Sequence, residues 1–293
     1  MTEGNGIIIF GAGQAGMALY RLLQRQGNRV IAFGDNKESL WGTEKEGVPV
    51  WPVSKVVQAA PEEIYLAIVN EAAQREIRDA LLAAGYAGAI ITLSELKKRY
   101  QIRLATCRRL VEEIRERKLP GAVAELGVYQ WEFAEELNRM FPERMLYLFD
   151  TFTGFDARDI GAADGSKARA GDFSDTSEQA VLRRMPVPEQ VRIKKGYFPE
   201  SLSLLTEEEE KEQYVLVSLD TDLYQPTMAG LTYFYPRLVP GGYLILDDYH
   251  SSQFPGVGEA VREFCEREGV SVVPLCDLHG TAVLVKPGKR KQL

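Results

Sequence analysis

Short apolar runs rich in β-branched residues alternate with amphipathic stretches along the whole chain. Near the N-terminus, Ile7–Phe10 runs into a glycine-rich turn, and residues with helical spacing follow as far as Gln26. This order of strand, turn and helix predicts an α/β unit. The same pattern predicts a second helix over Ala72–Ala84 and three further strands, at Val30–Phe33, Ile64–Val69 and Ala89–Ile91. We therefore expect residues 1–95 to form a small Rossmann-like domain with four short strands.

A strongly charged stretch over residues 96–118 follows this domain. Within it, apolar residues recur at helical spacing, namely Leu104, Cys107, Val111 and Ile114. Pro120-Gly121 ends the pattern, as expected after the end of a helix. We predict an amphipathic linker helix that packs on the next domain by this apolar stripe and exposes its charges to solvent.

Residues 119–293 return to alternating strands and helices. The apolar runs predict strands at Ala122–Leu126, Met145–Phe149, Val191–Lys194, Val215–Leu219, Tyr243–Leu246, Val270–Val273 and Ala282–Val285, with helices over Phe133–Phe141 and Gly258–Glu268. Only a short loop joins the last two strands, so they should pair as an antiparallel hairpin. The second domain is therefore predicted to be a mostly parallel sheet with an antiparallel C-terminal hairpin.

The glycine-rich turn of the first domain reads G-x-G-x-x-G, formed by Gly11, Gly13 and Gly16, with Asp35 about twenty positions further on. Such glycines let the backbone approach a pyrophosphate, which the helix N-terminus stabilises. Asp35 would accept a hydrogen bond from a ribose hydroxyl, which favours NAD over NADP if the ligand is a dinucleotide. The domain also resembles the small nucleotide-sugar-binding domains of bacterial sialic-acid and bacillosamine acetyltransferases. A scaffold or dimerisation unit with no ligand is the alternative.

Two predicted strands of the second domain end on carboxylates. Asp220 and Asp222 follow one strand, and Asp247 and Asp248 follow the next. Ligands of open α/β sheets bind outside the carboxyl ends of the strands, and like charges that meet there repel unless a cation lies among them. Carboxylate oxygens suit a hard divalent ion, Mg²⁺ first, with Mn²⁺ and Ca²⁺ as alternatives. The other interpretation is that these aspartates cap helices.

The charge and composition of the chain argue against some classes of binding partner. The net charge of −7 and the pI near 5.2 argue against a nucleic-acid partner. The sequence shows neither a membrane-spanning apolar run nor a signal peptide, and its three scattered cysteines fit a reducing compartment. We expect a soluble cytoplasmic protein with a small-molecule substrate, and leave open whether it forms a homo-oligomer.

Five motifs of the second domain occur in an order that resembles one family. They are Ala124–Tyr129, Tyr147–Phe155, Leu219–Tyr224, Pro240–Tyr243 and Asp247–Tyr249. Together they resemble the macrocin O-methyltransferase (TylF-like) family over about residues 104–286. The resemblance implies a class I methyltransferase fold, S-adenosylmethionine as methyl donor, Mg²⁺ and a sugar hydroxyl as acceptor.

The resemblance also assigns roles to residues. It implies that Asp220, Asp247 and Asp248 are the metal ligands and that Asp220 is the general base. Asp222 falls outside this set and is expected to cap a helix or to support the ligands.

The resemblance places donor-binding roles on residues at or just after the ends of the first three strands of the second domain. Glu125 and Gly127 lie where the methionine part of the donor would bind, and Asp150 would bind the ribose of the adenosine. Tyr197 and Phe198 are expected to flank the adenine, with packing under the loop as their alternative role.

One position departs from the family pattern, because Trp131 stands where a glycine is usual. Its indole would either crowd the donor or turn outward and cover it.

Together, these features predict an S-adenosylmethionine- and Mg²⁺-dependent O-methyltransferase that modifies a sugar or glycosylated small molecule. A non-catalytic protein that senses a nucleotide or the donor, and an NAD-dependent sugar oxidoreductase, remain as alternatives.

Overall fold

The structure, a computed structural model, describes residues 6–165, 167–251, 253–278 and 280–288. The chain forms two compact units. The first ends at Ile102 and also includes Cys276–Leu278, and the second begins at Arg103 and contains the rest of the described residues.

The first unit is a six-stranded sheet with the strand order β3-β4-β2-β1-β5-β6. All neighbouring strands are parallel except β3 and β4. Apolar residues fill both faces of this sheet. In chain order its elements are β1 (Ile7–Phe10), α1 (Gln14–Arg25), β2 (Val30–Gly34), β3 (Glu44–Lys45), β4 (Val48–Trp51), α2 (Val53–Gln58), β5 (Glu63–Leu66), α3 (Glu71–Ala83), β6 (Ala89–Thr92) and α4 (Leu93–Arg99).

The prediction of four strands in this unit was wrong, because β3 and β4 add a short hairpin at one edge. β4 contains Pro49, which cannot donate to a ladder and which normally argues against a strand. β4 lies between β3 and β2, but Pro49 is outside its register with β2, which contains only Val50 and Trp51. The turn before β4 is closed by Glu46 and Gly47, both with positive φ. The hairpin was missed because the strands are short and tertiary pairing stabilises them.

The second unit is a seven-stranded sheet in the order β12-β13-β11-β10-β7-β8-β9. The predicted antiparallel C-terminal hairpin of β12 and β13 is confirmed, and the remaining strands are parallel. In chain order its elements are α5 (Ile102–Glu116), β7 (Ala122–Leu126), α6 (Glu132–Met140), β8 (Leu146–Asp150), α7 (Glu178–Leu182), β9 (Val191–Lys195), β10 (Tyr214–Leu219), α8 (Tyr224–Arg237), β11 (Leu238–Leu246), α9 (Pro255–Glu268), β12 (Val272–Pro274) and β13 (Ala282–Val285).

The predicted single linker helix is two helices, α4 and α5, which are interrupted at Tyr100 and Gln101. Thr92 begins α4 with a capping box, in which Thr92 and Glu95 each accept from the other's backbone amide. The apolar stripe of α5 is confirmed at Cys107, Val111 and Ile114, which are buried against the sheet of the second unit.

None of the helices within the described residues combines the length and the apolar character that crossing a bilayer requires.

Four central strands of the second unit, β8, β7, β10 and β11, lie side by side and point in the same direction. Their carboxyl ends therefore meet at one edge of the sheet, where ligands of such sheets bind. Several residues just beyond these ends have positive φ although they are not glycine, which is a conformation that concentrates at functional sites. These residues are Tyr129, Trp131, Phe152, Asp222 and Asp248.

Candidate active site

Three carboxylates converge beyond the ends of β10 and β11. Asp220, Asp222 and Asp248 each offer an oxygen that lies within 4.8 Å of those of the other two. Asp222 and Asp248 have φ values of 60° and 53°, a left-handed conformation that aspartate tolerates better than most residues. Three carboxylate oxygens at this spacing form a donor set that suits a hard divalent cation. The predicted ligands Asp220 and Asp248 are thus together in the structure.

Asp247, the third predicted ligand, makes different contacts. Its Oδ2 accepts from Arg103 Nη1 at 2.8 Å, and its Oδ1 accepts from Thr281 Oγ1 at 3.2 Å. Arg103 Nη1 also donates to Asp220 Oδ2 at 3.0 Å. Asp220 therefore belongs to two groups of charges. One is the carboxylate cluster with Asp222 and Asp248, and the other is the ion pair of Arg103 with Asp220 and Asp247.

Arg103 is the site residue that the sequence interpretation missed. It lies four residues before Cys107, at a position of α5 that continues the stripe of Cys107, Val111 and Ile114. A charged residue in an apolar stripe is expected to be buried with a partner, because an unpaired buried charge is very costly. The sequence therefore held a usable indication, namely one arginine in line with three apolar residues.

Of the two roles expected for Asp222, the structure does not favour the helix cap. At the N-terminus of α8 the backbone amide of Tyr224 donates instead to Asp164 Oδ1 at 2.7 Å. Burial, followed by the charges of Asp248 and Asp220, raises the pKa of Asp222 well above its ordinary value. Bringing this carboxylate into the cluster is therefore costly without a cation, and a divalent ion would offset that cost.

Glu125 lies on β7, beside Ser218 in the sheet register, and its side chain is buried. Its Oε2 has no hydrogen-bond partner within the described part of the chain. A buried polar atom without a partner costs about 1–3 kcal/mol, so a ligand that donates a hydrogen bond here would recover that energy. An unpartnered oxygen of this kind is suited to accept a hydrogen bond from a polar group of a bound donor molecule.

Burial, with further contributions from Asp220, Asp150 and Asp247, raises the pKa of Glu125 well above its usual range, although Arg103 opposes the shift. The pKa of Glu125 is thus higher in the folded chain than in the unfolded chain. Glu125 therefore contributes to the free energy of unfolding at pH values below its ordinary pKa, and this contribution is lost as the pH rises through the pKa of the folded state.

Glu125→Gln, which stays neutral, is therefore expected to be more stable than the wild type at pH 8, by about 1 kcal/mol or more. The difference should close below about pH 4, where both proteins are neutral at this position. Urea unfolding in chelator, from below about pH 4 to pH 8, measures the difference. Parallel stability curves for the two proteins would contradict the prediction.

Gly127 follows β7 with a φ of +84°. A Cβ at this position would lie 1.9 Å from the carbonyl oxygen of Asp220. The glycine is therefore required by the close packing of two strand ends. Gly127 sets the position of the backbone that carries Asp220.

Asp150, at the end of β8, organises the loop after β7. Its Oδ2 accepts from the backbone amides of Val128 at 2.7 Å and Tyr129 at 3.0 Å, and its Oδ1 accepts from that of Phe152 at 2.6 Å. A carboxylate oxygen has two lone pairs, so Oδ1 retains one for a ligand hydroxyl. Asp150 is thus fixed in place where the resemblance puts the ribose.

Phe198 lies in the core, where its ring stacks on Phe234 at 5.8 Å and meets Phe149 edge to face at 5.7 Å. This environment favours the packing role over contact with adenine. Tyr197 is half-buried, with the Arg158 guanidinium 3.7 Å from the centre of its ring, and its hydroxyl donates to Asp159 Oδ1 at 2.6 Å.

Trp131 immediately precedes α6 and has a φ of 83°, the conformation that explains why glycine is usual at this position. Its indole is half-buried against the apolar cluster that includes Val181 and Met185. The guanidinium of Arg184 lies 5.0 Å from the centre of a Trp131 ring. The tryptophan thus keeps the backbone of a glycine while its side chain packs on an apolar cluster of the second unit and lies beside Arg184.

The glycine loop of the first unit has a similar construction. Asp35 Oδ2 accepts from the backbone amide of Ala12 at 2.9 Å, and its Oδ1 accepts from that of Lys37 at 2.8 Å. A Cβ at Gly16 would lie 1.8 Å from the carbonyl oxygen of Gly11, whereas one at Gly13 would meet nothing within 4 Å. Gly16 therefore serves helix–strand packing, and the space beside Gly13 is open.

A seven-stranded sheet of this order, parallel except for its antiparallel C-terminal hairpin, is the fold of class I methyltransferases. The family model described as macrocin-O-methyltransferase (TylF) matches residues 98–286, and the chain belongs to this family. The match lies almost entirely in the second unit.

Curated relatives and a solved structure agree with this assignment. Mycinamicin III 3''-O-methyltransferase of Micromonospora griseorubida is 30% identical over 184 residues, which cover 58% of this chain and 70% of the relative. Demethyldecarbamoylnovobiocin O-methyltransferase of Streptomyces niveus is 29% identical over 175 residues, covering 55% and 64%. The solved structure of the O-methyltransferase NovP superposes with a TM-score of 0.54 at 26% identity and covers 63% of this chain and 79% of NovP.

Proposed function

We propose that this protein transfers a methyl group from S-adenosylmethionine to a hydroxyl of a sugar or glycosylated small molecule, with the help of a divalent metal ion. The observation that carries the proposal is the convergence of Asp220, Asp222 and Asp248 at the strand ends of a methyltransferase fold. The sugar acceptor is supported by the name of a third relative, 34% identical over 95 residues, which is an O-methyltransferase of a rhamnosyl-tetracenomycin C.

Each part of the site has a task in this reaction. Asp220, Asp222 and Asp248 would hold the ion, while Asp247 keeps Asp220 in place through Arg103. The ion, when bound, supplies Lewis acidity that lowers the pKa of a nearby hydroxyl. A carboxylate then takes the hydroxyl proton, and the remaining requirement is alignment of the acceptor with the donor methyl.

Asp220 is the base that the family resemblance implies. Asp222 is the second candidate, because Arg103 already donates to Asp220 and so makes it a weaker base.

On the donor side, Glu125 would accept from a donor group through its unpartnered oxygen, and Asp150 would accept from a ribose hydroxyl. Both residues stand on rigid strands rather than on loops, which favours precise positioning.

The first test is binding of S-adenosylmethionine by calorimetry, followed by methyl transfer from labelled donor to glycosides with neighbouring hydroxyls, with Mg²⁺ or with chelator. Donor binding with metal-dependent transfer is the expected result. Donor binding without transfer to any acceptor would favour the sensing protein. Absence of donor binding, together with a change in nicotinamide absorbance on adding sugars and NAD, would favour the oxidoreductase.

Trp131→Gly is expected to bind S-adenosylmethionine within about threefold of the wild type, a difference under about 1 kcal/mol. The reason is that the indole packs on protein side chains, and glycine retains the left-handed backbone. Calorimetry on both proteins measures this. A gain of tenfold or more in the variant would mean that the indole crowds the donor site.

The first unit is proposed to bind a nucleotide, either NAD or the nucleotide part of an activated sugar. The open space beside Gly13 and the position of Asp35 support this proposal. Titration of the full chain with NAD and with nucleotide sugars tests it, and heat from neither ligand would leave the unit as a scaffold.

A further inference from the structure

Arg103 is a buried cation within the carboxylate site of the second unit. Only 9% of its side chain is exposed, and its two terminal nitrogens donate to three acceptors on strand ends. Nη1 donates to Asp247 and Asp220, and Nη2 donates to the hydroxyl of Ser218 on β10 at 3.1 Å. A helix that precedes the sheet in sequence thus places a fixed positive charge at the ends of β10 and β11.

The remaining surroundings of Arg103 hold it in that place. Its guanidinium carbon lies 4.0 Å from the centre of the Phe133 ring on α6, a favourable cation–π distance. Burial lowers the pKa of Arg103, but the charges of Asp247 and Asp220 outweigh this effect and hold the pKa above its ordinary value. Arg103 therefore remains charged at any pH at which the protein folds.

Asp220 links this cation to the candidate metal site. Its Oδ2 accepts from Arg103, and an oxygen of the same carboxylate lies within 4.8 Å of oxygens of Asp222 and Asp248. A guanidinium and a divalent ion that share one carboxylate repel each other, and the repulsion is stronger than in water because Arg103 is buried and the three aspartates are half-buried. The charge of Arg103 must therefore lower the affinity of the site for the ion.

We propose that Arg103 is a resident counter-cation of this carboxylate site and that its charge opposes binding of the divalent ion. In the absence of an ion, Arg103 offsets part of the repulsion among the aspartates, so the second unit folds without metal. When an ion binds, Arg103 limits its affinity and keeps binding reversible. The inference rests on the proposed function only in assigning a metal ion to Asp220, Asp222 and Asp248.

The test compares Mn²⁺ binding by Arg103→Met, Arg103→Lys and the wild type, using the free-ion electron paramagnetic resonance signal. Methionine retains the apolar length of the side chain without its charge, and lysine retains the charge without the forked geometry. Arg103→Met is expected to bind Mn²⁺ at least about tenfold more tightly than the wild type. Arg103→Lys should remain within about threefold of it. Arg109→Met, on an exposed position of the same helix, is the matched control and should not change the affinity.

Thermal unfolding gives a second readout that does not depend on activity. In chelator, Arg103→Met should unfold at a lower temperature than the wild type, because the carboxylates lose a counter-charge. Mn²⁺ should raise the unfolding temperature of this variant by more than it raises that of the wild type. Lost packing alone would lower both values without this difference in rescue.

If Arg103→Met is not recovered folded, the double variant Arg103→Met with Asp247→Asn removes one charge of each sign. It should bind Mn²⁺ more tightly than Asp247→Asn alone.

The outcomes separate this inference from the proposed function. If the wild type binds Mn²⁺ and loss of the Arg103 charge does not tighten binding, the inference fails and the proposed metal dependence stands. If only the variant without the charge binds Mn²⁺, the inference stands and Arg103 takes the place of the metal in the native protein. If neither protein binds the ion, both ideas fail.

Discussion

Gly127→Ala is expected to lower the free energy of unfolding by about 3 kcal/mol or more and to abolish methyl transfer. The added Cβ would lie 1.9 Å from the carbonyl oxygen of Asp220, so one of two central strand ends must move. The positive φ adds about 1 kcal/mol of strain for any residue with a side chain. Because the displaced backbone carries Asp220, damage to stability and damage to the carboxylate cluster should appear together.

Gly171→Ala is the matched control for stability. Gly171 has the same φ of +84°, but a Cβ there would meet no atom within 4 Å. Its expected cost is therefore the strain alone, about 1 kcal/mol. Urea unfolding of the two variants measures the difference, and equal losses of stability would show that contact with Asp220 is not the cause.

Asp222→Asn and Asp248→Asn are each expected to reduce kcat/KM by about a hundredfold or more. Each change removes one anionic oxygen from the three that converge within 4.8 Å. An amide oxygen is a weaker ligand for a hard cation and is a poor proton acceptor. Methyl-transfer assays over a range of Mg²⁺ concentrations would show the loss and its partial recovery at high Mg²⁺ if the residue is a ligand.

The same substitution at Asp79, an exposed residue of α3 in the first unit, serves as the control and should leave kcat/KM unchanged. A result in which Asp222→Asn retains full activity while Asp247→Asn loses it would restore the ligand set implied by the family resemblance. A flat response to Mg²⁺ in every variant would instead argue against a metal at these carboxylates.

Regular elements of the fold were predictable because their patterns are local. The runs Ile7–Phe10 and Ala282–Val285 appear in the structure with the predicted bounds. The β3–β4 hairpin was missed because Pro49 argues against a strand, and only tertiary pairing showed that it lies outside the register of β4 with β2. The interruption at Tyr100 was missed because helical spacing continues across it.

Some features of the candidate site were likewise predictable from the sequence, and others were not. Carboxylates at strand ends can be predicted from the sequence. In an α/β pattern the strands are parallel, so aspartates that directly follow them lie at the same edge of the sheet. Which of them meet depends on backbone conformation, and the left-handed φ values of Asp222 and Asp248 are not encoded by a simple pattern.

By itself, the sequence determined the two-domain α/β architecture, the order of the motifs and the family to which the chain belongs. Only the tertiary structure decided that Asp222 joins Asp220 and Asp248, and that Arg103 reaches Asp247 and Asp220 from α5, more than a hundred residues away in sequence. The physical reason is that periodicity reports which face of an element is buried, whereas contacts between charges depend on how separate elements pack.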